Sequence, residues 1–420
     1  MARGAERRSV QVVADWDGLG GPTPMGTLHA VMGRSRETFS FEYDGAWLPS
    51  ARSIELDPAL RLLPGPQFVA AGRDNFGVFL DSAPDRWGRV LLDRREAYRA
   101  RREGRAARAL RELDYLLGVY DGHRLGALRF RLGGGPFLDD DARLASPPWT
   151  SLAELERASL ALERGDAEEH PDYGRWLGLL LAPGRSLGGA RPKASVVDAR
   201  ADLWLAKFPS RADTHDVGGW EGVVASLARA AGVLTSETKI ARLGSTHHTF
   251  LARRFDRRGR GRLHVASAMT LLERRDGEEG ASYLDLAELL ARSGAHPARD
   301  LEQLWRRIAF FVCVANVDDH LRNHAFVLER TGWSLAPAYD VNPVPTGRAL
   351  TLAILLHIPV HPLPRIQIRP IRSHPQPARK NDLLLRPISN RAQIPHFHGT
   401  FGNNATSIEE VISAEPGPAA

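Results

Sequence analysis

The sequence predicts an α+β protein in three parts: a β-rich segment over residues 1–150, a mixed core over 151–354 and an irregular tail over 355–420. Period-two runs and turn clusters fill residues 9–70. The longest helical period runs from Ser282 to Val317. The last stretch is interrupted by Pro359, Pro362, Pro364, Pro370, Pro375, Pro377, Pro387 and Pro395, which rules out long helices there. At 420 residues, 43% hydrophobic and 25% charged, the chain has ordinary globular composition and exceeds one simple core.

Ser9–Ala14 alternates apolar and polar residues, Gly18–Pro24 is a turn cluster, and Gly26–Val31 and Thr38–Tyr43 read as further strands. Pro84 suits a first helical position, with Ser82 or Ala83 near the cap. Arg94, Arg95, Arg99, Arg101, Arg102, Arg105, Arg108 and Arg111 then recur among Ala and Leu, as in a helix or helix pair with one basic face. Such a face is either solvated or a surface for an acidic partner or a phosphate backbone. Leu113–Val119 reads as a helix and Leu125–Phe130 as a strand. The loops Gly133–Pro136 and Ser146–Pro148 place a boundary near 150.

In the core, Leu152–Glu163 is helical and Ser186–Lys193 is a glycine-containing loop. Two strands follow, Ala194–Val197 and Leu203–Pro209. Trp220–Ala231 reads as an amphipathic helix closed by Gly232, and Thr249–Phe255 as a strand. Leu301, Leu304, Ile308, Phe311 and Ala315 share one helical face, so a long helix delivers Asp318 at its C-terminal end. The single cysteine, Cys313, lies in an apolar run. It reads as a small core residue in a reducing compartment, since one cysteine forms neither an internal disulfide nor a thiolate zinc site. A charged N-terminus without an apolar continuation, and no run long enough to span a bilayer, predict a cytoplasmic location and no membrane partner. The net charge of +6 fits a solvated basic surface as well as contact with a polyanion.

Asp318, Asn323 and Asp340 gather oxygen-bearing side chains in a short span of otherwise apolar chain. Phosphoryl transfer needs magnesium on the phosphates, a cation beside them, a close-approaching loop and a carboxylate aligning the acceptor hydroxyl. Asp318 and Asn323 have the spacing of the catalytic Asp and metal-binding Asn of the protein-kinase loop. Between Asn323 and Asp340, Ala325–Leu328, a turn at Thr331–Gly332 and a return at Trp333–Leu335 form a hairpin that brings Asp340 back beside Asn323. Lys207 suits the phosphate cation, and Gly188 and Gly189 the close backbone approach. The same residues leave two other readings open: a transition-metal site of Asp318, Asp319, His320 and His324 for hydrolysis, or purely structural polar clusters.

At these residues the chain resembles the HipA family of serine/threonine kinase toxins. Phe79–Arg89 is similar to the family's "LLPDRWGR", Leu125–Phe130 to "GALRF", Gly188–Lys193 to "GGAQPK" and Ala206–Pro209 to "KFP". Arg254–Arg257 is similar to "RFDR", Asn316–Asn323 to "NxDDHxxN" and Pro337–Pro343 to "PAYDxNP". The matches run in family order. The resemblance implies a two-lobed, kinase-like α+β fold with a β-rich N-terminal subdomain and a mainly helical C-lobe. It implies ATP and Mg2+ as cofactors, Asp318 as catalytic base, and Asn323 and Asp340 on the metal. Gly188, Gly189, Ala190, Arg191, Pro192, Lys193 and Lys207 would hold the phosphates, Arg253, Arg254 and Phe255 would line the adenine, and His320, Leu321, Arg322, Asn323 and Tyr339 would complete the nucleotide site. Ser186 takes the place of the family's autophosphorylated serine, an off-switch. The implied partners are a helix-turn-helix (HipB-like) antitoxin, operator DNA through that antitoxin, and a protein substrate such as an aminoacyl-tRNA synthetase, glutamyl-tRNA synthetase being the best-known target. Two features depart from the pattern. Arg253 stands where many relatives have Glu, and Leu350–Ile354 leads into Pro/His/Arg-rich chain instead of further amphipathic helices. The second departure gives the alternative implied function, a catalytically impaired homologue serving as a binding partner in an antitoxin–DNA complex.

Overall fold

The computed structural model describes residues 7–352, apart from 34–35, 51–52, 139–146, 165–166, 181–190, 260 and 345–349. The described residues all belong to one compact unit. The irregular tail expected over 355–420 and the loop residues Ser186, Gly188, Gly189 and Ala190 lie outside the described residues.

The N-terminal strands β1 (Arg7–Ala14), β2 (Thr23–Met32), β3 (Glu37–Tyr43), β4 (Gln67–Phe68) and β5 (Leu128–Arg131) form one antiparallel sheet in the order β4-β3-β2-β1-β5. Alternation fixes its buried face, with Val10 and Val12 of β1, Leu28 of β2, Phe39 and Phe41 of β3 and Phe130 of β5 all inside. Helices α1 (Gly77–Ser82), α2 (Arg86–Arg102) and α3 (Glu112–Leu117) follow β4 in the chain. Asp85 starts α2 by accepting a 2.9 Å hydrogen bond from the Gly88 amide, so Pro84 precedes the cap instead of opening the helix.

The arginine-rich stretch is a single helix as far as Arg102 and is non-helical from Gly104 to Leu110. Ion pairs offset part of its charge: Arg101 with Glu168, Arg105 with Glu96 and Glu103, and Arg108 with Asp114. Glu96, held by Arg105 against the opposing effect of desolvation, has its pKa lowered to about 2.

Helices α4 (Leu152–Arg164) and α5 (Tyr173–Leu180) pack on a second antiparallel sheet, formed by β6 (Lys193–Val197), β7 (Leu203–Lys207), β8 (Thr238–Ala241) and β9 (Thr249–Arg253) in the order β6-β7-β9-β8. Helix α6 (Val217–Ala230) lies against β8 and β9. A Cβ on Gly218 would run into the His248 carbonyl, so glycine is what lets the start of α6 approach the β9 edge.

A short hairpin, β10 (Arg257–Arg258) with β11 (Gly261–Arg262), leads to a third sheet of β12 (Val265–Ser267), β13 (Ala325–Glu329) and β14 (Gly332–Leu335). The β13–β14 pair is the hairpin expected after Asn323, registered Phe326 to Leu335 and Leu328 to Trp333. The helical period read over 282–317 divides, after the short α7 (Ala268–Leu271), into α8 (Tyr283–Ser293) and α9 (Pro297–Cys313). Gly294 ends the first and Pro297 opens the second, the ordinary use of both residues.

Cys313 is exposed, which corrects the expectation of a core residue. The buried face of α9 carries Leu304, Arg307, Phe310 and Phe311, and Cys313, nine residues beyond Leu304, falls half a turn away from it. One apolar cluster joins the N-terminal sheet to this region, uniting Val12, Phe41 and Phe79 with Leu286, Leu290, Phe326 and Leu335. The β-rich segment and the C-terminal helices are therefore packed together. Among the described residues no helix is long and apolar enough to cross a membrane.

Candidate active site

Lys207 ends β7, flanked in the sheet by β6 and β9. Alternation along β7 sends Trp204 and Ala206 into the core shared with α4 and α5, and turns Leu205 and Lys207 toward an apolar cavity. Helix α6 is capped by Asp216, whose carboxylate accepts the Gly219 amide hydrogen bond at 3.0 Å, and this seats Glu221 in its first turn and a half. The Lys207 ammonium lies 2.5 Å from Glu221 Oε1 and 2.6 Å from Asp340 Oδ1.

Burial works against the charge on Lys207, but the two carboxylates outweigh it and the pKa is raised. Desolvation pushes Glu221 up, with Lys207 opposing and Asp340 adding to the rise. Desolvation also acts to raise Asp340, but Lys207 overrides it and the carboxyl is held below its usual range. Lys207 thus keeps Asp340 ionised inside the protein. Asp340 itself adopts φ +57°, an uncommon conformation for a non-glycine residue, though one that Asp adopts more readily than most.

The segment after α9 forms a self-braced loop. The Asn323 amide group donates to the Asp318 carbonyl at 3.0 Å, and the Asn323 backbone N–H donates to the His320 carbonyl at 2.8 Å. Asp319 is fully buried; Tyr283 of α8 donates to its Oδ2 at 2.5 Å, and the His324 ring lies 2.8 Å from the same atom. Asp318 is exposed at the loop surface. Tyr283→Phe leaves Asp319 one donor short and is expected to cost about 1–3 kcal/mol; a urea midpoint unchanged from wild type would show that the brace carries no stability.

The donor set fits magnesium, a hard cation that takes a few oxygen ligands and keeps some of its water. Asn323 Oδ1 is buried without a hydrogen-bond partner, and Asp340 Oδ2 has none among the described residues, while Oδ1 is taken by Lys207. The transition-metal alternative loses its ligands, because Asp319 and His324 are engaged with each other. Among the described residues no group of three or more His, Cys, Asp or Glu is placed to hold a metal.

The cavity is walled by Leu205, Phe250 and Ala252 of the second sheet, by Ala225 and Ala228 of α6, and by Phe255 and Tyr339, whose rings stack with centroids 5.8 Å apart. Lys207, Glu221, Asp340, Arg253 and Arg254 also reach it. Arg191, Pro192, Lys193, Asp318 and the run His320–Asn323 are not among its lining residues.

Several of the residues expected at a nucleotide are engaged elsewhere. Arg191 forms a two-pronged pair with Asp213, at 2.5 and 2.7 Å, and the Pro192 carbonyl accepts the Phe208 amide. Lys193 is buried in a 2.8 Å pair with Asp85, the cap of α2. Arg253 pairs with Asp202, and Arg254 with Asp256 and the carbonyls of His123 and Arg124. The Leu321 side chain is core, and Arg322 pairs with Asp276 while its carbonyl accepts the Tyr339 hydroxyl at 2.7 Å. The residue that sequence reasoning missed is Glu221. Its signal was available: it is the one acidic residue in the run from Val217 to Ala230.

A lysine on a strand, a glutamate from the adjacent helix and a carboxylate after the Asp318–Asn323 loop thus meet in a protein with a kinase-like fold. Residues 185–361 match the family model described as the HipA-like C-terminal domain. Among solved structures it is similar to a chain of the Shewanella oneidensis MR-1 toxin–antitoxin complex of HipA, HipB and operator DNA. That match has 19% identity and a TM-score of 0.57, covering 82% of this chain and 79% of that one. The proinflammatory kinase CtkA of Helicobacter pylori matches at 16% identity and a TM-score of 0.30, over 36% of this chain and 54% of that one. No curated protein matches the chain.

Proposed function

We propose that this protein is an ATP- and magnesium-dependent serine/threonine protein kinase acting as the toxin of a toxin–antitoxin pair. The observation that carries the reading is the position of Lys207, shared at hydrogen-bond distance between Glu221 and Asp340, because this ion pair and its metal carboxylate are the parts a kinase must have in place. The apolar cavity beside it suits a purine, with Phe255 and Tyr339 as one wall. Asn323 and Asp340 would hold Mg2+, which when bound neutralises charge on the phosphates. Asp318 accepts the proton of the acceptor hydroxyl, and Lys207 orients the phosphates while fixing Asp340. The HipA–HipB–operator assembly of the Shewanella structure supports a similar antitoxin and DNA partner here. The substrate class is a translation component such as an aminoacyl-tRNA synthetase, and Ser186 is the proposed self-modified residue.

Transfer of label from γ-labelled ATP to protein, seen with wild type and reduced about 10²–10⁴-fold in Asp318→Ala, is the expected result. Equal transfer by the two proteins would remove Asp318 from its role. Wild type should also gain roughly 2.7 kcal/mol of stability at 100 times the Kd for magnesium-ATP. No thermal shift at millimolar nucleotide would favour a non-enzymatic binding partner instead.

A further inference from the structure

Two asparagines flank the acidic residues of the site and are tied to each other. Asn316, buried two residues before Asp318, accepts the Asn342 backbone N–H on Oδ1 at 3.0 Å. Asn342, two residues after Asp340, turns its Nδ2 back to Asp340 Oδ1 at 3.2 Å. This bridge therefore links the segment that carries Asp318 to the segment that carries Asp340. Each end lies within two residues of an unusual backbone conformation, since Ala315 (φ +52°) and Asp340 (φ +57°) are two of the four described non-glycine residues with positive φ. Conformations of that kind persist only where neighbouring contacts over-determine them. Here those contacts are the Asn316–Asn342 bond, the Val344 and Val317 amides donating to the Ala315 carbonyl, and the Asn342 side chain on Asp340.

Resting on the kinase reading above, we infer that Asn342 is a positioning residue for the metal carboxylate. It acts with Lys207 to commit Asp340 Oδ1 to protein donors, so that Oδ2 is the oxygen presented to a divalent cation. The two oxygens of Asp340 are not equivalent. Oδ1 takes the Lys207 ammonium and the Asn342 amide, while Oδ2 takes no hydrogen bond among the described residues. A carboxylate held by only one donor can swing about its Cβ–Cγ bond and offer either oxygen. A second donor on the same oxygen, fixed to a backbone segment that is itself bonded to Asn316, removes that freedom. Oriented ligands bind metal more tightly, and loss of the partner that orients one typically weakens metal binding by about 10–100-fold.

Mn2+ serves as the probe, its free fraction read by electron paramagnetic resonance in titrations of the full chain with a non-hydrolysable ATP analogue. Asn342→Ala is expected to weaken Mn2+ by about tenfold, while affinity for the analogue without metal stays within about threefold of wild type. Asn342→Asp has the size of the native residue but no side-chain donor. It is expected to weaken Mn2+ as well, and it keeps the test open should the alanine variant fail to fold. Thermal melts without ligand establish that each variant is folded. Wild-type Mn2+ affinity in either folded variant would overturn the inference, as would tighter binding in Asn342→Asp, which would make residue 342 a ligand. An equal loss of metal-free analogue binding would also overturn it. If wild type itself binds no Mn2+ with the analogue, it is the kinase reading that fails.

Discussion

Lys207→Ala is expected to abolish phosphate transfer and to weaken the fold at the same time. The ammonium is largely enclosed and satisfies two carboxylates, Glu221 buried and Asp340 partly buried. Without it, Glu221 and Asp340 face each other inside the protein, and removing one partner of such a buried arrangement costs about 3–5 kcal/mol. The lower end of that range is expected. Burial and the Asp340 charge already push the Glu221 carboxyl up, and loss of Lys207 removes the charge that opposes them. Asp340 then loses the charge that keeps it ionised, and the metal carboxylate and the phosphate cation are lost together.

Glu221→Gln separates the two effects, because it leaves Lys207 on Asp340 at 2.6 Å and removes only one carboxylate. Its rate should fall far less than that of Lys207→Ala, for which a loss of at least about 10²–10³-fold in kcat is expected by analogy with other charge-stabilising donors. Transfer by Lys207→Ala within tenfold of wild type, measured at saturating nucleotide, would show that the ion pair is structural only.

The parts of this site that were legible in the sequence are those where chemistry and local structure coincide. Asp318, Asn323 and Asp340 stand out because three oxygen-bearing side chains interrupt apolar chain, and the hairpin between them was found because Ala325–Leu328, Thr331–Gly332 and Trp333–Leu335 have the pattern of two strands and a turn. Lys207 was visible as a lone cation in a strand. What the sequence could not give was the pairing of charges distant in the chain. Arg254 looks identical on paper whether it meets a nucleotide or Asp256, and Lys193 whether it meets phosphate or Asp85, 108 residues away. The basic stretch from Arg94 to Arg111 was ambiguous for the same reason, since two of its counter-charges, Asp114 and Glu168, lie beyond the stretch. Helix boundaries failed more locally. The 282–317 period continues across Gly294 and Pro297 because α8 and α9 both present an apolar face, and periodicity alone does not register the break. Cys313 was misplaced because an apolar run says nothing about which of its residues turn outward.

The largest expected loss of stability belongs to Asp256→Asn, a substitution outside the proposed chemistry. Asp256 is about 1% exposed and pairs at 2.6 Å with both Arg254 and Arg257. Its Oδ2 also accepts the Gly126 amide at 2.9 Å, while the two guanidinium groups donate to the carbonyls of His123 and Arg124. The cluster therefore clamps residues 122–126 of the β-rich segment onto the chain that follows β9. Desolvation acts against the Asp256 charge, but Arg254 and Arg257 overcome it and bring its pKa down to about 2. Burial lowers Arg257 to about 9, against the pull of Asp256. An asparagine of the same size leaves two buried cations without their counter-charge, at a cost of about 3–5 kcal/mol, or about 5–10 °C in Tm. Asp202→Asn, which breaks the far more exposed pair with Arg253, should cost no more than about 1 kcal/mol. The pH dependence has a definite sign. A carboxyl depressed in the folded state stabilises above its unfolded pKa of about 3.9, and that contribution disappears as the pH falls through about 4 to 2. Wild type should thus lose stability over this interval more steeply than Asp256→Asn, and the gap between their urea midpoints should close toward pH 2. Hydrogen exchange locates the effect, because the Gly126 amide should lose its protection in the variant before the strands of the N-terminal sheet do. A gap that stays constant from pH 7 to pH 2 would mean that the loss comes from altered packing and not from the charge of Asp256.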